Sequence, residues 1–338
     1  MTERARALYF QRPREVTTEP TPKPAPGPDE LLVETAASGV SPGTELLVYD
    51  GKVPTEMAVD ETIDTLDGTF DYPVKYGYAA VGRVVETGAR VDPDWRGERV
   101  FAFNPHESYF CADPADVYRV PSDVDTETAT LFPTAETAVN FVLDATPRVG
   151  ERVVVFGAGP VGLATTAVLS SFPLESLVVV DPVATRRDLA RELGATETVT
   201  PEGVTELAWD GEPAGADLCF EVSGNPAALN DAIETVGYDG RVVVGSWYGT
   251  KPAELDLGGH FHRGRVDLLS SQVSTISPER RGRWTKGRRM DRAVEAVKRH
   301  DLGRLVTDRV PFDDAATAYR LLTRDTDVLT TVFTYDRP

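Results

Sequence analysis

The sequence predicts a two-domain α/β protein in which an antiparallel β domain precedes a doubly wound parallel sheet. The chain has 338 residues, a length at which one core usually divides into two domains. From Glu3 to about Val120 it consists of short strand-like runs separated by turn residues. From Ala129 onward, apolar strand runs alternate with helical segments, which indicates a parallel sheet with crossover helices.

The β-like runs of the first part follow one another closely. They are ARALYF (5–10), ELLVETAAS (30–38), YAAVGRVVETG (78–88) and GERVFAF (97–103), with a proline-rich stretch from Pro20 to Pro28. The parallel strands are predicted at 153–156, 177–180, 217–222, 241–245 and 266–271. Helices fit residues 161–171, 184–193 (ending at Gly194 as a C-cap), 226–236 and 289–300, and a last strand fits 328–335. We predict domains over 1–125 and 126–290, with a C-terminal segment over 291–338.

The charge balance excludes several classes of partner. Fifty-four acidic against 35 basic residues give a net charge of −19, which repels nucleic acid and anionic lipid surfaces. Six lysines against 29 arginines, with abundant aspartate, favour a halophilic protein. The apolar runs are too short to span a membrane and the N-terminus resembles no secretory signal, so we expect a cytoplasmic protein. Cys111 and Cys219 are too few for a four-cysteine zinc lobe.

The strongest motif is VVVFGAGPVG, in which a buried strand enters a glycine turn and then an apolar helix. Gly157 would permit the tight turn, Gly159 would let the backbone approach a pyrophosphate, and Gly162 would let the helix pack on the strand. Pro160 and Val161 begin the helix, whose N-terminus would face the anion. The motif predicts a dinucleotide site.

Asp181, at the end of the next strand, bears on which cofactor binds. Its carboxylate could accept hydrogen bonds from both adenosine ribose hydroxyls and would repel a 2′-phosphate, which favours NAD. Arg186 and Arg187 leave NADP as an alternative, since either guanidinium could reach a 2′-phosphate.

Two further strand ends belong to the same predicted site, because an α/β sheet binds its ligand at the carboxyl ends of its strands. EVSGNPAAL (221–229) and GRVVVGSWYG (240–249) each end a strand with small residues. The candidates there are Ser223, Gly224, Gly245 and Ser246, although ordinary turn chemistry would also account for them.

The order of these motifs resembles the medium-chain dehydrogenase/reductase superfamily, the zinc-type alcohol dehydrogenase relatives, over nearly the whole chain. The motifs are PGPDELLVETAASGVSPGTE, YGYAAVGRVVETGARV, GERVF, VVVFGAGPVGL and a late VPFDDAATAYRLL. GVSPGTELL followed by YGYAAVGRVVE is most similar to the bacteriochlorophyllide a dehydrogenase-like branch. The resemblance implies a GroES-like catalytic domain, completed by the C-terminal segment, an inserted Rossmann domain and an active site between them. We also expect a homo-oligomer, a dimer or tetramer.

The sequence departs from the zinc-dependent relatives at all three side-chain ligand positions. Ser41 and Pro42 stand where those relatives have a cysteine, Tyr78 replaces the histidine of Gly-His-Glu, and Phe132 precedes Pro133 in place of the third ligand. None of these side chains suits a tetrahedral zinc site, so zinc is not expected. The one remaining zinc candidate is His106 with carboxylates.

Without zinc, hydrogen-bond donors would have to stabilise the charge that develops on the substrate oxygen. Tyr78 could donate its phenol proton, and the resemblance places Thr44 at a proton-relay position. Glu45, His106 and Glu136 are further candidates for general acid or base work. Packing roles for Tyr78 and Glu45 and a plain loop role for His106 remain alternatives.

A basic segment stands out in this acidic chain. ERRGRWTKGRRMDR (279–292) carries seven Arg or Lys residues, and HFHRGRVDLL (260–269) adds two histidines and two arginines. The segment is either a solvated loop or a site for an anionic substrate or the cofactor phosphates.

The predicted function is therefore a zinc-independent NAD(P)-dependent oxidoreductase, acting on a carbonyl/alcohol pair of a small organic molecule. One alternative is a quinone or enone reductase, since a conjugated acceptor delocalises charge. Another is a nucleotide-binding protein without turnover.

Overall fold

The computed structural model describes residues 4–63, 65–207, 209 and 213–335. Glu3, where the predicted β domain begins, and residues 336–338 of the predicted C-terminal segment lie outside the described residues. The chain forms two compact units. Unit 1 comprises residues 1–133 and 303–338, and unit 2 comprises residues 134–302.

Unit 1 is built on strands from both ends of the chain, which pair antiparallel except for the last two, which are parallel. Its elements before unit 2 are β1 (Arg4–Arg12), β2 (Glu15–Pro22), β3 (Leu31–Gly39), α1 (Pro42–Tyr49), β4 (Ala80–Thr87), β5 (Arg99–Ala102), β6 (Tyr109–Ala112), β7 (Val117–Arg119) and α2 (Thr126–Ala129). Helix α3 (Phe132–Ala145) leads into unit 2. Strands β1 and β2 form a hairpin, and β3, β4, β5 and β7 pair side by side, with β6 also on β3.

Unit 2 is a six-stranded parallel sheet with crossover helices. Its elements are β8 (Arg152–Phe156), α4 (Pro160–Leu169), β9 (Ser176–Val180), α5 (Ala184–Glu192), β10 (Glu197–Val199), β11 (Ala216–Glu221), α6 (Ala228–Thr235), β12 (Val236–Val244), α7 (His260–Arg263), β13 (Asp267–Ser270) and α8 (Lys286–Arg299). The strand order is β10-β9-β8-β11-β12-β13. Strands β8, β9 and β11 are buried, as their continuous apolar runs predicted.

The chain then returns to unit 1 through β14 (Val306–Pro311), α9 (Ala315–Arg324) and β15 (Thr330–Thr334). Strand β15 pairs antiparallel with β3, so that Val332 lies opposite Gly39. This pairing brings the C-terminal strand beside the strand that precedes α1. The predicted fold class, an antiparallel β domain with a parallel α/β sheet, is confirmed.

The predicted elements differ from the structure mainly at their ends. Helix α8 begins at Lys286 rather than at Arg289, so Arg289 lies inside its first turn. Gly194 follows α5 with φ at 109°, the left-handed conformation that a glycine C-cap requires. In the described residues, no helix combines the length and apolarity needed to cross a membrane. Cys219 is buried, and partial burial of Cys111 raises the pKa of its thiol to about 11.

Candidate functional site

The glycine turn of unit 2 connects β8 directly to α4. Gly157 has φ at 103°, and a Cβ there would lie 2.6 Å from Ser223 Cα. A Cβ on Gly162 would lie 1.9 Å from the carbonyl oxygen of Gly157, so only glycine lets α4 pack this closely on the turn. Gly159 is different, because a Cβ there would meet no atom within 4 Å. Gly157 and Gly162 therefore stand where a side chain would overlap backbone, whereas Gly159 borders open space.

The N-terminus of α4 opens next to Gly159. Gly159 is the N-cap residue and has no side chain to cap the helix, while Pro160 occupies the first helical position. Val161 and Gly162 follow, and the amides of a first turn have no partner within their helix. Free first-turn amides beside an open glycine suit a pyrophosphate, so these residues fit the phosphates of a dinucleotide.

Asp181 follows β9 and is 4% exposed. Its Oδ2 accepts the backbone N–H of Ala158 at 2.7 Å, and its Oδ1 accepts that of Val183 at 2.8 Å. A carboxylate offers about four acceptor sites, so two can still receive ribose hydroxyls. Arg187 donates to the backbone oxygen of Asp181 at 2.7 Å, and Arg186 lies half-buried in the first turn of α5.

Hydrogen bonds join the loops after β11 and β12. The amide of Gly224 donates to Ser246 Oγ at 2.8 Å, and the amide of Gly245 donates to the carbonyl oxygen of Glu221 at 2.9 Å. A Cβ on Gly245 would overlap the Phe141 ring at 2.3 Å. Turn chemistry thus accounts for Gly224, Gly245 and Ser246 as they stand, and it also holds these loops together at the carboxyl edge of the sheet.

The sequence analysis missed Glu221, the last residue of β11, which is fully buried. Its carboxylate accepts the amide of Ser223 at 2.8 Å and the hydroxyls of Ser223 and Tyr248. Burial and this carboxylate together raise the pKa of Tyr248. An acidic residue at the end of the apolar run DLCFEV was a signal in the sequence that could have identified it.

Unit 1 contains a cluster of three hydroxyls at the start of α1. The Tyr78 phenol donates to Ser41 Oγ at 2.6 Å, and Thr44 Oγ1 lies 3.3 Å from the Tyr78 oxygen. Burial is the main reason that the pKa of Tyr78 is raised, which keeps its phenol protonated. Tyr78 and Thr44, predicted separately, therefore lie together with Ser41 as the third member.

Beneath this cluster lies a buried acid–imidazole pair. Glu45 and His106 are both 0% exposed, and Glu45 Oε2 lies 3.1 Å from His106 Nε2. The other oxygen of Glu45 accepts the backbone N–H of Ser41 at 2.7 Å. Neither side chain reaches the surface, and Glu45 contacts the hydroxyl cluster through the backbone of Ser41. His106 lies in the loop before β6, and both of its ring nitrogens have hydrogen-bond partners.

Gly77 joins this pair to Tyr78. Its φ is 100°, and a Cβ there would lie 2.4 Å from His106 Cδ2. The backbone at Gly77 thus packs against the His106 imidazole, while the backbone N–H of Ser41 donates to the Glu45 carboxylate. One buried pair positions both partners of the Tyr78–Ser41 hydrogen bond.

The three residues at the positions of the missing zinc ligands have different surroundings: two are hydrogen-bonded to each other and one is packed in an apolar core. Ser41 and Tyr78 bond to each other, whereas Phe132 is fully buried against Phe101, with ring centroids 5.6 Å apart. Within the described ranges, no three His, Cys, Asp or Glu side chains are grouped so as to hold a metal ion. Both nitrogens of His106 are engaged by Ser38 and Glu45.

Glu136 belongs to unit 2, where it forms a buried ion pair. Arg289 is 1% exposed and donates from Nε and Nη2 to Glu136 Oε1 at 3.0 and 2.9 Å. Its other contacts are Asn140 Oδ1 at 2.6 Å and the backbone oxygens of Val273 and Thr275. Burial outweighs this partner and raises the pKa of Glu136.

The basic residues of the segment 279–292 thus differ in burial. Arg289 is a buried structural residue and not part of an anion site, because its guanidinium is fully occupied within unit 2. Arg288 is exposed and lies over the Trp284 ring at 4.2 Å. His260 is bonded to the carbonyl oxygen of Val236 at 2.7 Å.

The sequence is similar to known dehydrogenases. Residues 160–295 match the model of the zinc-binding dehydrogenase family. L-threonine 3-dehydrogenase of Xanthomonas campestris pv. campestris strain B100 is 26% identical over 258 residues, covering 67% of this chain and 72% of that protein.

Solved structures share the fold along nearly the whole chain. A zinc-binding dehydrogenase from Sinorhizobium meliloti 1021 bound to NADP has a TM-score of 0.78 at 20% identity and covers 98% of this chain and 99% of its own. An alcohol dehydrogenase from Escherichia coli CFT073 complexed with NADH has a TM-score of 0.75 at 17% identity, with the same coverage of 98% and 99%.

Proposed function

We propose that this alcohol dehydrogenase-like oxidoreductase of the medium-chain dehydrogenase/reductase superfamily transfers hydride without zinc. Its substrate would be the carbonyl/alcohol pair of a small organic molecule, and its cofactor NAD. The observation that carries this proposal is the hydroxyl cluster, in which Tyr78 and Ser41 occupy two former ligand positions and bond to each other at 2.6 Å.

The cofactor, when bound, supplies or accepts the hydride. In the reducing direction, the Tyr78 phenol would turn its proton from Ser41 to the carbonyl oxygen as negative charge develops there, and would then give up that proton. Ser41 and Thr44 lie close enough to the Tyr78 oxygen to donate to the phenolate that remains. Glu45 and His106 are positioning residues, since they are buried behind the cluster.

Replacing Tyr78 with phenylalanine should lower turnover by roughly 10²-fold or more, because one donor to a developing oxyanion is lost. NADH affinity should stay unchanged. The assay follows NADH oxidation with a panel of aldehydes, ketones, enones and quinones. Tyr109→Phe is the matched control, since it removes a phenol that bonds Glu34 in the same unit.

Equal turnover in the Tyr78→Phe variant would contradict the proposed donor. Activity confined to enones and quinones would favour a quinone or enone reductase. Tight NADH binding without turnover on any panel member would favour a nucleotide-binding protein.

NADH should bind more tightly than NADPH, because the buried Asp181 carboxylate would repel a 2′-phosphate. Asp181→Asn removes the charge, and its amide can accept only one of the two backbone N–H groups that Asp181 accepts, so it should reduce this preference and weaken binding of both cofactors. Asp181→Ser should move the preference further toward NADPH. Isothermal titration with both cofactors measures the ratio. NADPH binding as tightly as NADH in the unaltered protein would show that Arg186 or Arg187 overrides the carboxylate.

The purified protein should contain no stoichiometric zinc and should keep its activity after treatment with a chelator. Ser41, Tyr78 and Phe132 offer no ligand set that suits zinc. Elemental analysis and an assay after dialysis against chelator provide the measurement. One zinc per chain, together with activity lost on chelation, would overturn the hydroxyl mechanism.

A further inference from the structure

A continuous chain of hydrogen bonds runs through unit 1 behind the hydroxyl cluster. Tyr335 Oη lies 2.8 Å from Ser38 Oγ, which lies 2.7 Å from His106 Nδ1. Nε2 of the same imidazole lies 3.1 Å from Glu45 Oε2, and Tyr319 donates to that oxygen at 2.7 Å. Five side chains from β3, α1, α9, the loop before β6 and the end of β15 thus form one polar chain.

The bonds of this chain can all point in one direction. With Glu45 as a carboxylate, which only accepts, His106 would donate from Nε2 to Glu45 and accept at Nδ1. Ser38 then donates its one proton to Nδ1 and receives that of Tyr335. In this arrangement Tyr335 donates to Ser38 and Ser38 donates to His106, so both hydroxyl protons point toward the imidazole.

The middle of the chain is closed to solvent. Ser38, His106 and Glu45 are each 0% exposed. The edge of Phe333 contacts the imidazole with centroids 4.9 Å apart, and Gly77 covers its other side. Besides Glu45 and Tyr319, the titratable groups near the described part of the chain include Tyr49, Tyr76, Tyr78 and Glu107.

The outer end of the chain reaches a surface hollow. Tyr335 is partly exposed and lines a cavity of about 280 Å³. The other lining residues are Glu34, Thr35, Ala36, Gly82, Arg83, Arg99 and Thr126. The hollow is large enough for several water molecules, each of which needs roughly 30 Å³.

We propose that Tyr335 and Ser38 form a proton path from this hollow to His106, so that the buried His106–Glu45 pair is protonated from the hollow. A hydronium ion in the hollow would give a proton to Tyr335, leaving water, as the Tyr335 proton passes to Ser38 and the Ser38 proton passes to Nδ1. The O–H bonds broken at Tyr335 and Ser38 are each replaced, and one N–H bond forms. The net change is the uptake of one proton from solvent.

Such a path would serve the reaction proposed above. When Tyr78 gives its proton to the substrate, a phenolate is left near the Glu45 carboxylate. A proton that enters the His106–Glu45 pair offsets this added negative charge. The path itself is testable without cofactor or substrate, so its failure is separate from failure of the proposed reaction.

The test follows the ring proton resonances of the four histidines by NMR during a pH titration of the full chain. In the unaltered protein His106 should give one resonance that moves with pH, because protons exchange quickly along the path. Ser38→Ala should split it into two resonances of changing intensity, since a fully enclosed ring then exchanges protons only through local opening. Tyr335→Phe should act in the same way.

Three comparisons make the result specific. Ser38→Thr restores a hydroxyl and should restore the single moving resonance. Tyr319→Phe removes the hydroxyl on the far side of Glu45 and should leave His106 in fast exchange. The exposed His262 lies outside the path and serves as the internal reference in every variant. A His106 resonance that stays in fast exchange in Ser38→Ala and Tyr335→Phe, or that never titrates in the folded protein, would overturn the path.

Discussion

Replacing Arg289 with alanine should lower the free energy of unfolding by about 3–5 kcal/mol, the usual cost of removing one partner from a buried ion pair. The change leaves the Glu136 carboxylate buried without its counter-charge and deprives Asn140, Val273 and Thr275 of a donor. Urea denaturation at fixed KCl concentration measures the loss.

The pH dependence of this loss has a definite sign. Burial already raises the pKa of Glu136, and without Arg289 that pKa should rise further. A carboxyl whose pKa is raised in the folded state favours folding at low pH and loses that contribution as pH rises through the folded pKa. The deficit of the Arg289→Ala variant should therefore be smaller in mild acid than at neutral pH.

Arg288→Ala is the matched control. Arg288 is the preceding residue of the same helix, but its guanidinium is exposed over Trp284. An exposed cation–π contact contributes only about 0.5–1 kcal/mol. Equal losses in the two variants would contradict the structural role of Arg289.

The sequence placed Arg289 in a basic surface segment, and this was wrong for a physical reason. Its partners Glu136 and Asn140 lie 153 and 149 residues away in sequence. A count of local charge cannot show that one arginine of a cluster turns inward to meet residues of a distant helix. Still larger separations hid Tyr319 and Tyr335, which lie 274 and 297 residues from their partners Glu45 and Ser38.

Features encoded by neighbouring residues could be predicted. The alternation of apolar strands and helices predicted the parallel sheet, and the resemblance to the medium-chain superfamily is confirmed. The glycine turn was predictable residue by residue, because each glycine's role follows from a strand, a tight turn and a helix in direct succession. Glu45 and His106 could be proposed as chemical groups, but their pairing could not.

The second and third glycines of that turn, Gly159 and Gly162, should separate folding from cofactor binding. Gly162→Ala places a Cβ 1.9 Å from the carbonyl oxygen of Gly157, an overlap with backbone that no side-chain rotation can relieve. Overpacking of this kind costs about 1–3 kcal/mol and sometimes more. The variant should have a lower midpoint of unfolding, and it should lose NADH affinity because the turn itself is displaced.

Gly159→Ala is the informative partner of that variant. Gly159 has φ at −73°, a conformation open to alanine, and a Cβ there meets no atom of the chain within 4 Å. Stability should therefore stay within about 0.5 kcal/mol of the original, as for changes that disturb no packing. NADH affinity should still fall clearly, because the new methyl group would occupy the space through which the pyrophosphate approaches the amides of α4. Unfolding midpoints and isothermal titration of both variants give the comparison. A Gly159→Ala protein that binds NADH as well as the original would show that the phosphates lie elsewhere.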